Sequence, residues 1–247
     1  MEYNYQIIIE YDGTQFVGWQ YQKNGLSIQE ILEKKLKKVF KKKIKIIGAG
    51  RTDAGVHALG QSANFLINEK ISNLRKTQNS INFFLNKFSI AVIDIKKRGL
   101  NFHSRYSAKE RIYEYIILNR LAPSTIDKDK AWHIRKKLNI NIMKKGAKKL
   151  IGSNDFSTFR ASNCYSKTPI RKLNEIKINK KNEKIILKFK SKSFLRNQVR
   201  SMVGCIVLLG KEIWSLNEFE KAFRSKKRSL CAPPAPAEGL YLSKVVY

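Results

Sequence analysis

The sequence predicts an α+β fold in two comparable lobes, each an antiparallel sheet flanked by helices. Strand-like and helix-like stretches run β, α, β, β, α, β and then β, α, β, β, α, α, β, without the regular βαβ alternation that builds a parallel sheet. The two halves of that order resemble each other. This implies a pseudo-duplicated architecture, although no identity between the halves is visible residue by residue. A chain of 247 residues is long enough to bury a full core and to divide into two domains. The division is expected near residue 105, giving lobes of residues 1–105 and 106–247.

Each element has a local reason. Residues 5–12 read as a strand that stops at Asp12-Gly13, a turn pair. Phe16, Trp19, Gln20, Tyr21 and Gln22 interleave aromatics with amides. That pattern suits stacking on bases and bonding to their edges, and equally a loop pinned into the core by Trp19. Ser27 and Glu30 have the spacing of a capping box. Ile28, Ile31, Leu32, Leu36, Val39 and Phe40 then share one helical face, and lysines cover the remainder as a solvated surface. Residues 44–47 and 63–67 read as strands on either side of a glycine-rich loop, 72–85 as a weaker helix and 89–95 as a strand. A long β run over 105–118 puts Tyr113, Tyr115 and Ile117 on one face and Ile112, Ile116 and Leu118 on the other.

The second half begins after a connector at 120–131 with a helix over 140–151 and a loop at 155–162. A hairpin follows, 170–179 and 184–190, turning at Lys181-Asn182. A strongly apolar helix is expected over 194–209, with Arg196 and Arg200 as i,i+4 neighbours on it. A short helix near 216–225, a proline-rich loop and a final strand over 239–246 complete the chain.

Bulk composition narrows the function classes. Fifty Lys and Arg against 19 Asp and Glu give a net charge of +31 and a pI near 10.1. So basic a protein is expected to meet a polyanion, usually nucleic acid. Part of the excess follows from a composition rich in Lys, Ile and Asn, as AT-rich coding favours. No apolar run approaches the ~18–20 residues of a membrane span, and the N-terminus lacks a signal-peptide pattern. Cys164, Cys205 and Cys231 show no metal-ligand spacing, which fits a reducing, cytoplasmic setting.

Chemistry concentrates in residues 48–61, Gly-Ala-Gly-Arg-Thr-Asp-Ala-Gly-Val-His-Ala-Leu-Gly-Gln. Glycines at this density let backbone approach a ligand or adopt positive φ. Asp53, two residues from Arg51, reads as a presented reactive carboxylate. The same residues also read as a tight turn closed by a local Arg51–Asp53 ion pair.

Six collinear motifs decide between these readings. They are Tyr11-Asp12-Gly13-Thr14 with Phe16-Val17-Gly18-Trp19-Gln20; Gly50-Arg51-Thr52-Asp53-Ala54-Gly55-Val56-His57; and Phe102-His103 through Arg111-Ile112-Tyr113-Glu114-Tyr115. Asp155-Phe156-Ser157-Thr158-Phe159-Arg160, then Phe194-Leu195-Arg196-Asn197-Gln198-Val199-Arg200-Ser201-Met202-Val203-Gly204 and Ala235-Pro236-Ala237-Glu238-Gly239-Leu240-Tyr241-Leu242 follow. Together they resemble the tRNA pseudouridine synthase family of the TruA type over nearly the whole chain. Ser104, where the family often has Ala, and Cys231 are small departures.

The resemblance implies isomerisation of uridine to pseudouridine on the 3′ side of the anticodon stem-loop of tRNA (positions 38–40), without metal or organic cofactor. It implies two α+β lobes with antiparallel, ferredoxin- or RRM-like sheets around a central basic cleft, the first lobe carrying the catalytic loop, and a homodimer with no membrane attachment. Asp53 corresponds to the family's catalytic aspartate and Tyr113 to the tyrosine that packs on the target base. Arg51 corresponds to the arginine tied to base flipping, and Arg200 to the one that pairs with the aspartate. His103, Arg105, Gln61, Arg160 and Ser162 are further candidates for tRNA contact, and each also reads as an ordinary surface residue. His57 reads as a structural histidine. The rival reading is a non-catalytic RNA-binding or chaperone module on the same scaffold.

Overall fold

Tyr5, Ile7 and Ile9 alternate along the first strand and are fully buried, so β1 (Tyr3–Tyr11) lies at the centre of its sheet. The computed structural model describes residues 1–247, with ten strands and five helices in two units. One unit comprises Met1–Lys109 and Tyr241–Tyr247, the other Glu110–Leu240.

In the first unit, α1 (Ile28–Phe40), β2 (Ile47–Gly48), β3 (His57–Ile67), α2 (Leu74–Leu85) and β4 (Ile90–Arg98) follow β1. The strand β10 (Leu240–Val246) joins them from the far end of the chain. Strand order is β4-β1-β3-β10, with β2 also on β3. β1 pairs antiparallel with both neighbours, whereas β10 runs parallel to β3, Tyr241 opposite His57. Ile28, Ile31, Leu32 and Leu36 of α1 and Ile81 and Leu85 of α2 are buried, each such side chain contributing about 1.5–3 kcal/mol.

The second unit contains β5 (Glu110–Asn119), β6 (Trp132–Ile134), α3 (Ile140–Lys149), β7 (Gly152–Asp155), β8 (Ile170–Lys181), β9 (Lys184–Ser191), α4 (Gln198–Gly210) and α5 (Leu216–Arg224). Its order is β5-β9-β8-β7, antiparallel throughout, and β6 lies parallel to β5. Asn182 turns the β8–β9 hairpin at φ 54°. Eleven of the thirteen residues of α4 are buried, as expected of a helix apolar on all sides.

Local context moved several elements from their expected places. Ser27 accepts from Glu30 N as an N-cap, but the Glu30 carboxylate turns to Lys34 at 2.6 Å instead of closing a capping box. The complete box is Ser215 with Glu218 at the start of α5. Residues 44–46 are not a strand; Ile44 and Ile46 are nonetheless buried, and pairing begins only at Ile47. The α4 helix starts at Gln198, not 194, because Asn197 takes φ 61° and the Gln198 side chain accepts from Leu195 N at 2.8 Å. Arg196 therefore precedes the helix, and its expected i,i+4 relation to Arg200 does not exist. No helix is long and apolar enough to cross a membrane.

Candidate active site

The glycine-rich loop is held mainly through its backbone and through the buried side chains of Ala49, Thr52, Val56 and His57. β2 delivers the chain past Trp19; a Cβ at Gly48 would meet the indole at 2.6 Å, so only glycine fits beneath that ring. Ala49 N then donates to Ser62 O at 2.7 Å, and Gln61 Nε2 donates to Gly50 O at 2.7 Å. Thr52 is the buried anchor. Its hydroxyl is 2.8 Å from the Tyr11 hydroxyl, and its carbonyl accepts from Trp19 N at 3.1 Å. Gly55 N donates to Phe16 O at 3.3 Å, and Val56 N closes a turn onto Asp53 O at 3.2 Å.

The approach from the other side also demands glycine. Gly18 has φ +112°, and a Cβ there would lie 2.6 Å from Thr52 O. Arg51 is exposed and Asp53 half-buried, while Thr52 between them is buried. The clamps run through Gly50, Thr52, Gly55 and Val56, and none of them needs an Arg51–Asp53 pair. The loop is thus a presenting loop, not only a tight turn.

His57 ends the loop from inside. Its Nδ1 accepts from Gly13 N at 3.0 Å and lies 3.1 Å from Asp12 Oδ1. That carboxylate oxygen is already taken by the Thr14 N–H and hydroxyl, at 3.1 and 2.6 Å. With the Gly13 N–H on Nδ1, a neutral ring carries its proton on Nε2. The ring stacks on Tyr241 at 4.7 Å between centroids. His57 is 1% exposed, so it acts on the loop's shape. The Asp12-Gly13 clasp and the Tyr11–Thr52 bond are site features that sequence reasoning did not assign. Their only signal was the Tyr-Asp-Gly-Thr motif itself.

The remaining candidates of this unit separate by burial. Gln61, expected as a candidate tRNA contact, is 0% exposed and spends its amide on Gly50 O and Ser62 N. Gln61 lies within a stretch of β3, Gly60–Phe65, that is buried on both faces, so its amide is engaged inside the unit rather than offered at the surface. His103 is half-buried and Arg105 exposed, both on the surface loop that precedes β5.

In the second unit, Tyr113 sits on β5 opposite Phe189 of β9, 8% exposed and edge-on to Phe194 at 5.2 Å. Arg200 is half-buried on the first turns of α4. Its Nε donates to Ala235 O at 2.7 Å, and Ala235 N returns a bond to Arg200 O at 2.9 Å, so the proline-rich loop orients the guanidinium. Burial pushes the phenol of nearby Tyr115 far up, with the Arg200 charge opposing that shift; its hydroxyl donates to Pro236 O at 2.8 Å. Arg160 points into its own loop, donating to the carbonyls of Cys164 and Ser166, whereas Ser162 is exposed.

Comparisons with known proteins show the family to which the chain is similar. A family model described as tRNA pseudouridine synthase matches residues 7–107 and 147–247. A tRNA pseudouridine synthase A of Pelagibacter ubique (strain HTCC1062) is 56% identical over 245 residues, 99% of this chain and 100% of that protein. The protein of that name from Parvibaculum lavamentivorans (strain DS-1 / DSM 13023 / NCIMB 13966) is 40% identical over 243 residues, covering 98% of both chains. Its counterpart in Maricaulis maris (strain MCS10) is 41% identical over 243 residues, 98% of this chain and 97% of that one. Among solved structures, a chain of a Cbf5-Nop10-Gar1 complex has 13% identity and a TM-score of 0.32 over 83% of this chain and 53% of its own, a likeness too slight to bear on function.

Proposed function

Because the chain belongs to the tRNA pseudouridine synthase family and is thereby an isomerase that forms pseudouridine in tRNA, we propose that it acts in the anticodon stem-loop with Asp53 as its essential carboxylate. The observation that carries this reading is the clamped loop, in which Thr52 is buried while Arg51 is exposed and Asp53 half-buried on either side of it. A reaction at a base inside a folded RNA first requires that base to leave the stack. Arg51, exposed and permanently charged, is suited to hold the vacated position against phosphates or neighbouring bases.

The chemistry then breaks the N1–C1′ bond, rotates the uracil and joins C5 to C1′. The hydrogen at C5 leaves as a proton and N1 regains one, so no electrons are gained or lost. Asp53 serves either as nucleophile or as base in this sequence. Tyr113 and Arg200 are proposed as substrate-binding residues, Tyr113 offering an aromatic surface to the detached base; base–aromatic stacking is worth ~1–3 kcal/mol. The enzyme is further proposed to work as a homodimer, which sedimentation of the purified protein tests.

The deciding experiment uses unmodified tRNA tritiated at uridine C5. Release of tritium by the wild type but not by Asp53→Asn, with tRNA binding retained, supports the assignment. Equal release by the variant overturns the role of Asp53, whereas no release by the wild type leaves a non-catalytic RNA-binding role. Mapping pseudouridine along the product tRNA tests the anticodon stem-loop directly.

A further inference from the structure

The loop between β4 and β5 holds an exposed aromatic ring in a fixed position. Tyr106 is 73% exposed, yet the backbone beneath it is tied down at many points. The buried Asn4 amide donates to Gly99 O at 3.0 Å and Phe102 O at 2.8 Å. Ser104, fully buried, donates its N–H to Asn64 Oδ1 at 2.9 Å and receives the Tyr247 hydroxyl on its carbonyl at 2.8 Å. His103 and Ser107 close the loop on each other through backbone and hydroxyl bonds of 2.9 and 3.1 Å.

Ring positions follow from that frame. His103 Nδ1 accepts from Arg105 N at 3.1 Å and from Tyr106 N at 3.3 Å, which sets the imidazole plane. The imidazole lies against the Tyr106 ring at 4.4 Å and 34°, and the Arg105 guanidinium lies 5.5 Å from the same ring. One step back, Arg98 lies 5.0 Å from the Phe102 ring and Lys97 5.1 Å from Tyr3. Exposed single aromatics are common and usually idle. An exposed ring that is immobilised, backed by a second ring and flanked by cations has instead the make-up of a single-strand nucleic-acid subsite, where rings take the bases and cations the phosphates.

We propose that Tyr106, supported by His103 and flanked by Arg105, is a stacking platform for an unpaired nucleobase of the tRNA. The proposal rests on tRNA being the substrate. It adds a recognition residue, Tyr106, and a binding mode, stacking, to the simple charge attraction expected of so basic a chain. A base within a duplex has no open face to offer, so the platform selects loop nucleotides.

The test compares wild type with Tyr106→Ala, Tyr106→Phe and Arg105→Gln, using tRNA transcript, single-stranded oligouridylate and an RNA duplex of equal charge as probes. Tyr106→Ala is expected to raise KM for tRNA and Kd for oligouridylate ~10-fold, as for loss of one base stack, with kcat and duplex affinity unchanged. Tyr106→Phe should stay within ~2-fold of wild type, since the ring and not the hydroxyl stacks. The slope of log Kd against log salt should be unchanged in Tyr106→Ala and shallower in Arg105→Gln, which removes a phosphate contact. Equal affinity of wild type and Tyr106→Ala for oligouridylate overturns the platform, as does a Phe variant as impaired as the Ala variant. A wild type that releases no tritium breaks the reaction assignment instead, and the platform then stands or falls on the oligouridylate affinities alone.

Discussion

The two units use close-approaching glycines for different ends. In the first, the ideal Cβ positions of Gly13 and Gly18 fall 2.1 Å from Val56 O and 2.6 Å from Thr52 O, both backbone atoms of the presenting loop. In the second, a Cβ at Gly146 would fall 2.2 Å from Leu209 Cδ1, and one at Gly210 would fall 2.6 Å from Met143 Sδ, both side chains of helices packed on each other. The aspartates differ in the same sense. Asp53 stands half-buried on a loop whose backbone is clamped at several points, whereas the Asp155 carboxylate accepts from Ser157 N at 2.9 Å and holds a turn. A similar scaffold, matched twice by one family model, therefore spends its special residues on presentation in one unit and on packing in the other.

Substitutions that exchange these roles would break the comparison. The largest effect is expected from Asp53→Asn: kcat falls ~10³-fold or more in the tritium assay, in the range for loss of an essential acid–base or nucleophilic group. Asp155→Asn should do the reverse, leaving kcat within about threefold and costing below about 1 kcal/mol. Burial works to raise the Asp155 pKa, but the Ser157 bonds and the Lys226 charge outweigh it and hold the value below the ordinary carboxylate range. A depressed folded-state pKa gives stability that is present above the unfolded value, about 3.9, and lost as pH falls through the folded one. The wild-type advantage over Asp155→Asn should accordingly vanish in acid; an advantage that grows there would refute the assignment.

Next comes the glycine pair. Gly18→Ala forces a Cβ into positive φ and onto the Thr52 carbonyl, at a cost of roughly 1–3 kcal/mol, and kcat should fall by more than that stability loss accounts for. Gly146→Ala should cost a similar ~1–3 kcal/mol by overpacking while the folded fraction keeps its full kcat. Parallel denaturation and turnover measurements separate the two, and equal activity losses would erase the distinction between units.

A smaller effect is expected at His57. Asn at this position carries an acceptor near the place of Nδ1, whereas Leu leaves the buried Gly13 N–H unfilled at about 1–3 kcal/mol. The Asn variant should therefore be the more stable and the more active of the two, and the opposite order would show that the Gly13 bond is unimportant. The smallest effect concerns Cys164. Burial raises its thiol, but bonds from the Ser166 and Arg196 backbones and the Arg160 charge prevail and lower the pKa below the usual thiol value. Iodoacetamide should label Cys164 before Cys205, which is buried and pushed upward by Cys231 and desolvation, and Arg160→Gln should slow that labelling.

Much of this was legible in the chain because it is local. The helix at Ile28–Phe40 follows from six apolar residues at helical spacing, and the β8–β9 hairpin from alternation broken at Lys181-Asn182. The presenting loop stood out because glycine density is a property of a few adjacent residues. Less legible were positions set by one side chain against a distant backbone. Asn197 in left-handed conformation and the Gln198 bond to Leu195 delay α4 by four residues, although helical periodicity runs on through them. Gln61 has the polarity of a contact residue, and only its place in β3 shows that its amide is consumed inside.

By itself, then, the sequence determined the α+β class, most helices and hairpins, and the loop that presents Arg51 and Asp53. Periodicity, turn chemistry and glycine content act over a few residues and can be read in order. Only the tertiary structure decided that the strand Leu240–Val246 runs parallel to β3, placing Tyr241 opposite His57 and stacking the two rings behind the loop. The strand carries the same alternation whichever neighbour it takes, and its partner is set by groups distant along the chain that only the assembled sheet brings beside it.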